Sequence, residues 1–461
     1  MKKSIIFFNP PFNREKPDYM TDASLARFEM DAINPGLLSM ASFLRAQGIS
    51  AEIYDFYRRK DIVSVEKEVA EIVSLENPSV VGISNLSAYD YLDSLNIAKV
   101  VKQTNPNTKV IVGGQHASGL KSQILIDEHS IDGLVEGEGE RPILDIFQRV
   151  ITGKNLVGAP NLWIRRDKGE ILAPTEYYKP LDLDQIPLLD FAIYPEALSF
   201  TPFIEEARGC HLSCDYCNNV FFYGQNARSK SIEKFARDVK NTISFFGKEP
   251  LYAIMTPNFR FRSSSEKLAL LKKAGIRWST EVSCDIPWAK MVSEFAESGM
   301  FLLNVGLESA SPNTLRRMNK VANPEKYLSN AQRILEEAQK YESLKTRFNI
   351  MIYPGDTYED IEHTRKFLES NIARLDAVVC CPTIAYPGSR LFDQLKKIED
   401  ICGARVFVSS FCESTHHYPI HPSPDLSFQD ASKLCLKLEE EFSPARLLSL
   451  KHNYKKYEGN V

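Results

Sequence analysis

Short β-branched runs alternate with longer amphipathic segments along the first 150 residues, and that alternation leaves few folds open. The runs cover 4–8, 51–56, 79–84, 109–114 and 131–137, with helical patterns near 36–47, 61–75, 91–104, 119–128 and 141–151. Five strands separated by helices predict a doubly wound, Rossmann-like parallel sheet covered on both faces, whose ligands sit beyond the carboxyl ends of the strands. The loops after the strands, at 9–13, 84–90, 113–119 and 136–140, are therefore the candidate binding loops. Two are rich in glycine, which lets backbone approach a ligand with no Cβ in the way.

Residues 152–200 lose the periodicity and gain prolines at 160, 174, 180, 187 and 195, which predicts a linker over 156–199 after a first domain of 1–155. From 200 the alternation resumes, with strands at 201–207, 251–255, 276–282, 301–308, 346–352 and 375–381. Six strand and helix units over 200–395 predict a second α/β domain, an open sheet or a partial (β/α)6 TIM-type barrel. Segment 396–461 holds His416, His417 and His421, read as a solvated loop, then a helix at 427–442, and is expected to carry substrate specificity. Thr357 and Asp360 have the spacing of a capping box before the helix at 358–370.

Composition narrows the setting. Lys and Arg number 56 against 60 Asp and Glu, a net charge of -4 with mixed signs and no basic run, which argues against a nucleic-acid partner. No window approaches the ~18 consecutive apolar residues of a spanning helix. The short apolar run at the start reads as a strand, not a signal peptide, so a cytoplasmic protein without membrane attachment is expected. There the nine cysteines are expected to be thiols or ligands and not disulfides.

No cysteine precedes Cys210, and then three fall at Cys210, Cys214 and Cys217, directly after the first strand of the second domain. A structural zinc would require a fourth ligand, for which His211 inside the loop and Cys284 are candidates. A 4Fe-4S cluster held by three thiolates instead leaves one iron open to a ligand.

The stretch Cys-His-Leu-Ser-Cys-Asp-Tyr-Cys, with VGLESAS at 305–311 and IYPGDTYED at 352–360, resembles the radical S-adenosylmethionine (SAM) enzymes. The resemblance implies that Cys210, Cys214 and Cys217 hold the cluster and that the amino and carboxylate groups of SAM chelate the open iron. Cleavage of SAM then yields a 5'-deoxyadenosyl radical. It further implies SAM contacts from Tyr216 and Glu308, while Arg208 precedes the loop as in many relatives. The chain departs from the family where MTPNF (255–259) stands in place of an acidic motif, and Asn258 is the substitute expected there.

The first 150 residues resemble the cobalamin-binding domain fused to many radical SAM enzymes, through Asn9 and Pro10, PGLLSMASFLRAQG (35–48), VGISNLS (81–87), VGGQHAS (112–118) and VEGEGE (135–140). Cobalamin contacts are accordingly expected from Asn9, Pro10, Ser84, Ser87, Gly113, Gly114, Gln115, His116, Glu136 and Gly137. The first loop reads NPPFNREK without histidine and His116 follows the fourth strand, so no imidazole from the protein is expected on cobalt.

Both cofactors together imply methyl transfer to an unactivated carbon, less often phosphorus, of a small-molecule or peptide substrate, with an external flavodoxin- or ferredoxin-type electron donor. Oxidative cyclisation, ring contraction or rearrangement uses the same motifs. Methylthiolation of transfer RNA would require an upstream cysteine trio, which is missing. A corrinoid-binding sensor or carrier with a structural zinc is the reading outside enzymes.

Overall fold

The computed structural model describes residues 2–12, 32–59, 61–166, 169–257 and 264–443. Strands β1 (Lys2–Asn9), β2 (Ser50–Asp55), β3 (Pro78–Ser84), β4 (Lys109–Gly113) and β5 (Gly133–Val135) pair in parallel in the order β2-β1-β3-β4-β5. The chain switches direction across the sheet between β1 and β3, which opens a crevice above their carboxyl ends. Alternate side chains of β1 explain its unbroken apolar run. Ile5 and Phe7 pack with Leu37, Leu38 and Ile143 on one face, while Ile6 and Phe8 pack with Val65, Val69 and Tyr91 on the other. Each such fully buried side chain contributes about 1.5–3 kcal/mol.

Part of the expected linker belongs to this sheet. β6 (Leu162–Arg165) and β7 (Ile171–Leu172) continue it antiparallel beyond β5. Leu162 and Ile164 enter one core and Trp163 packs against the other, an alternation too short to stand out among the prolines. The helix expected at 119–128 is broken in two, Gln115–Leu120 and Ser122–Asp127, at Lys121 with φ of 55°.

The second domain is an open barrel of six parallel strands in chain order: β8 (Phe203–Glu205), β11 (Leu251–Met255), β12 (Arg277–Ser283), β13 (Met300–Glu308), β14 (Lys345–Ile352) and β15 (Ala377–Pro382). After β8, the short strands β9 (Ala207–Arg208) and β10 (Arg228–Ser229) pair antiparallel and bracket the cysteine loop. The capping box of Thr357 and Asp360 starts helix Tyr358–Ser370 as expected.

The histidine segment is not a solvated loop. It forms a three-stranded sheet, with β18 (Tyr418–His421) between β16 (Ile384–Ala385) and β17 (Arg405–Val406), and His417 is 2% exposed. Helix Phe428–Phe442 then covers the free edge of β15, where the backbone N–H groups of Val378 and Cys380 donate to Ser443 Oγ and Glu439 Oε1, both at 2.7 Å. An open barrel edge is thereby capped instead of left to pair with another chain. Among the described residues no helix is long and apolar enough to cross a membrane.

His116 joins the first domain to the C-terminal segment. Its ring Nε2 donates to the Thr415 carbonyl at 2.9 Å, and burial, aided by His416, lowers its pKa to about 3. His417 is likewise held near 3 by burial, with His116 adding to the effect. Both groups stay neutral in the folded chain while the unfolded chain protonates them near 6.5, so stability is full above that pH and falls as the pH drops. At pH 5 the loss amounts to about 2 kcal/mol per histidine. The drop in Tm between pH 7.5 and pH 5 is therefore expected to be smaller in His116→Gln than in the native protein. An equal drop in thermal melts of both would contradict this account.

Candidate functional site

The cysteine loop is stitched to the barrel along its length. Asp215 N–H donates to the Met318 carbonyl at 3.1 Å, Asn319 Nδ2 to the Ser213 carbonyl at 2.9 Å, and Leu391 N–H to the Asp215 carbonyl at 2.7 Å. Cys210 and Cys214 are buried and Cys217 is half-buried. Burial pushes the Cys214 thiol up, as do Glu308 and Cys210, against the pull of Lys320. Cys217 is pushed up to about 11, by burial first and then by Cys214 and Cys210. The three thiols thus lie within one another's electrostatic reach.

Among the described residues no His, Cys, Asp or Glu group is gathered tightly enough for a single metal ion. The proposed fourth zinc ligands are engaged elsewhere. His211 Nε2 pairs with Asp285 Oδ2 at 2.9 Å, and Cys284 is 0% exposed within the barrel's outer core. A cluster that takes one thiolate on each of three irons tolerates wider sulfur spacing than one tetrahedral ion. The donor set therefore fits a 4Fe-4S cluster better than zinc.

Glu308 ends β13 in the left-handed region at φ 64°, just past a register shift between Gly306 and Glu308. Such a conformation costs about 1–3 kcal/mol and concentrates at functional sites. It brings the Glu308 carboxylate within 3.0 Å of Lys320 Nζ, which also lies 3.1 Å from the Tyr216 hydroxyl. Burial disfavours the Lys320 charge, but Glu308 and Tyr216 outweigh it and its pKa is raised. Tyr216 and Glu308 are thus brought together with the cysteines. Lys320 went unrecognised in the sequence, since a lone lysine after a short helix carries no local signal. Asn258 lies outside the described residues.

A cavity of about 570 Å³ opens between the domains, above the carboxyl ends of β1, β3, β4 and β5. Ser84, Ser87, Gly113, Gly114, Gln115 and Gly137, six of the residues proposed for cobalamin, line it. At Gly114, with φ of 117°, a Cβ would stand 2.3 Å from the Asn85 carbonyl oxygen, so only glycine lets these two loops meet. Four expected residues do not line the cavity. Asn9 is turned to Asp55 and Asn34, whose side chain also caps helix Pro35–Ala46 and reaches Ser84 Oγ. Pro10 is buried beside it. His116 points to Thr415 because the helix starts one residue earlier and turns it inward. Glu136 accepts from Trp163 Nε1 at 2.8 Å and the Tyr177 hydroxyl at 2.9 Å, partners supplied by the segment read as linker.

The barrel completes the cavity wall with Glu205, Arg208, Phe222, Tyr223 and Met255, and the C-terminal segment adds His417. Arg208 is 6% exposed and donates to Glu138 at 2.7 Å and Glu140 at 2.9 Å across the domain boundary, and to Glu205 at 2.7 Å. Its place two residues before Cys210 makes it shared by cavity and cysteine loop.

Comparison with known proteins agrees with this architecture. A B12 binding domain model matches residues 22–147 and a radical SAM superfamily model matches residues 204–368. An uncharacterized methyltransferase of Pyrococcus horikoshii is 26% identical over 338 residues, 71% of this chain and 71% of that protein. Bacteriochlorophyllide d C-12(1)-methyltransferase of Chlorobaculum tepidum is 25% identical over 295 residues, 62% of this chain and 60% of its own length. The structure of the radical S-adenosylmethionine methyltransferase TsrM of Kitasatospora setae, with cobalamin and an iron-sulfur cluster bound, superposes with a TM-score of 0.70 at 12% identity, over 94% of this chain and 82% of that one. The chain thus matches a B12 binding domain and the radical SAM superfamily in series, and it shares the fold of that methyltransferase along nearly its whole length.

Proposed function

We propose that the protein is a methyltransferase acting on an unactivated carbon of a small-molecule or peptide natural-product intermediate. The observation that carries this reading is the placement of the cysteine loop between two cavity-lining segments, Arg208 on one side and Phe222 with Tyr223 on the other. A reactive intermediate must meet its methyl donor before solvent quenches it, so the two cofactors have to share one enclosed cleft. When bound, SAM on the cluster supplies the 5'-deoxyadenosyl radical and cobalamin the methyl group.

Each part of the chain then has a task. Cys210, Cys214 and Cys217 hold the cluster and must shed their protons to do so, which burial opposes. Tyr216, Glu308 and Lys320 orient SAM beside it: the ammonium of Lys320 suits a carboxylate, and the carboxylate of Glu308 a hydroxyl or ammonium. Ser84, Ser87, Gly113, Gly114, Gln115 and Gly137 receive the corrin ring and its side chains. Phe7, Phe222 and Met255 give this cavity an apolar wall that excludes water. The electron comes from an external flavodoxin- or ferredoxin-type donor.

Anaerobic incubation of the reconstituted protein with SAM, cobalamin, a low-potential reductant and candidate substrates tests the reading. Formation of both 5'-deoxyadenosine and S-adenosylhomocysteine is expected. Deoxyadenosine without homocysteine product would replace methylation by cyclisation or rearrangement.

Two variants separate the cofactor sites. Cys214→Ala is expected to abolish the cluster absorbance and deoxyadenosine formation while cobalamin binding, read from its visible spectrum, stays within about twofold. Gly114→Val forces a strained backbone at the cavity rim, about 1–3 kcal/mol, and is expected to weaken cobalamin roughly 5- to 150-fold with cluster content retained. Loss of both cofactors in either variant would contradict this division.

A further inference from the structure

Strands β12, β13 and β14 turn alternate side chains outward, where Trp278, Val282, Leu303, Val305, Phe348 and Ile350 form the core beneath the helices. Glu281, Asn304 and Arg347 have the opposite parity and face the barrel lumen. The parallel register sets them side by side, Glu281 opposite Asn304 and Asn304 opposite Arg347. On the next strand the position opposite Arg347 is Ala377, which leaves the guanidinium room.

Asn304 is 7% exposed, yet its buried Oδ1 has no hydrogen-bond partner, and the buried Nε of Arg347 has none either. Leaving such groups unpaired costs about 1–3 kcal/mol each. Glu281 remains open to water within the lumen. Its position deep in the lumen raises its pKa, as does Glu308, while Arg347 and Lys320 lower it, so the row lies within the field of the Glu308–Lys320 pair. A barrel wall gains nothing from the unpartnered Asn304 Oδ1 and Arg347 Nε beside a carboxylate that only water reaches. A ligand that pairs with both atoms and with the Glu281 carboxylate gains from each contact.

The chemistry of the row is specific. A guanidinium offers a planar fork of donors that matches a carboxylate. The Asn304 oxygen and the Glu281 carboxylate are both acceptors, which suits an ammonium. SAM carries such a pair of groups, but the proposed function places SAM at Tyr216, Glu308 and Lys320. We infer that Glu281, Asn304 and Arg347 bind the amino and carboxylate groups of the substrate, an amino acid or a molecule ending in one. This rests on the proposed function. Asn304 precedes Glu308 by four residues, roughly 13 Å along a strand, so a substrate anchored there extends its side chain toward the SAM site and the cavity.

The test is equilibrium dialysis of cluster- and cobalamin-loaded enzyme against the twenty proteinogenic L-amino acids, with S-adenosylhomocysteine present. At least one amino acid is expected to bind, its affinity falling tenfold or more in Arg347→Met, in Asn304→Leu, and when its carboxylate is amidated. Arg347→Lys, which keeps the charge and loses the fork, is expected to lose less. Cluster content, cobalamin content and SAM binding measured on the same variants report intact folding. Retention of no amino acid, or equal binding by Arg347→Met, overturns the inference. A loss of SAM binding in the variants assigns the row to SAM and overturns it too. Dialysis requires no turnover, so a native enzyme that binds an amino acid yet forms no deoxyadenosine would refute the proposed reaction and leave this site standing.

Discussion

The guanidinium of Arg208 donates to Glu138 and Glu140 of the first domain and to Glu205 of the second, with Arg228 also paired to Glu138 and Lys230 to Glu205. Removing such ions from water costs several kcal/mol apiece, and only close pairing returns it. The network is charge-balanced among these six groups, so it is stable when complete. Without Arg208, three carboxylates face one another at the junction, a defect of about 3–5 kcal/mol by analogy with other broken buried pairs. Both the loop after β5 and the approach to the cysteine loop hang on this contact.

The two sheets use opposite rules for their strands. In the first domain both faces of β1 and β3 are buried, so function is confined to loops at the strand ends. In the barrel only the outer face is packed on helices, and the inner face is free to carry Glu281, Asn304, Gly306 and Glu308. A lumen lined with polar side chains is stable only when the strands are held from outside. The helices, together with Phe428–Phe442 across the edge of β15, supply that support.

The strand and helix alternation was legible because each element repeats its period over several residues, and the cysteine loop because three ligand-type residues crowd into eight positions. Ser84, Gly113 and Gly137 were legible as well, since glycine and small residues after parallel strands have few other uses. What escaped depends on partners distant in sequence. His116 is buried by Thr415, 299 positions away. Glu136 is claimed by Trp163 and Tyr177, and Asn9 by Asp55 and Asn34. Each looks like a loop residue until those partners are placed. The polar lumen left a trace that went unread: Glu281, Asn304 and Arg347 interrupt strands that, in a parallel sheet packed on both faces, should be apolar throughout.

Chain length alone ties the cavity to the cysteine loop. Arg208 and Cys210 are two residues apart, a span of at most ~7 Å, and Cys217 and Phe222 are five apart, at most ~18 Å even if fully extended. The segment between is short and bonded at Ser213 and Asp215 to the barrel, so neither end can move far without the other. A shift of the cavity wall therefore reaches the cysteine loop directly. Conversely, a cluster that orders the loop also fixes Arg208 and Phe222 at the mouth of the cavity. On the proposed reaction, the two cofactor sites are thereby held at a short separation by covalent geometry, with no signal needed through the barrel.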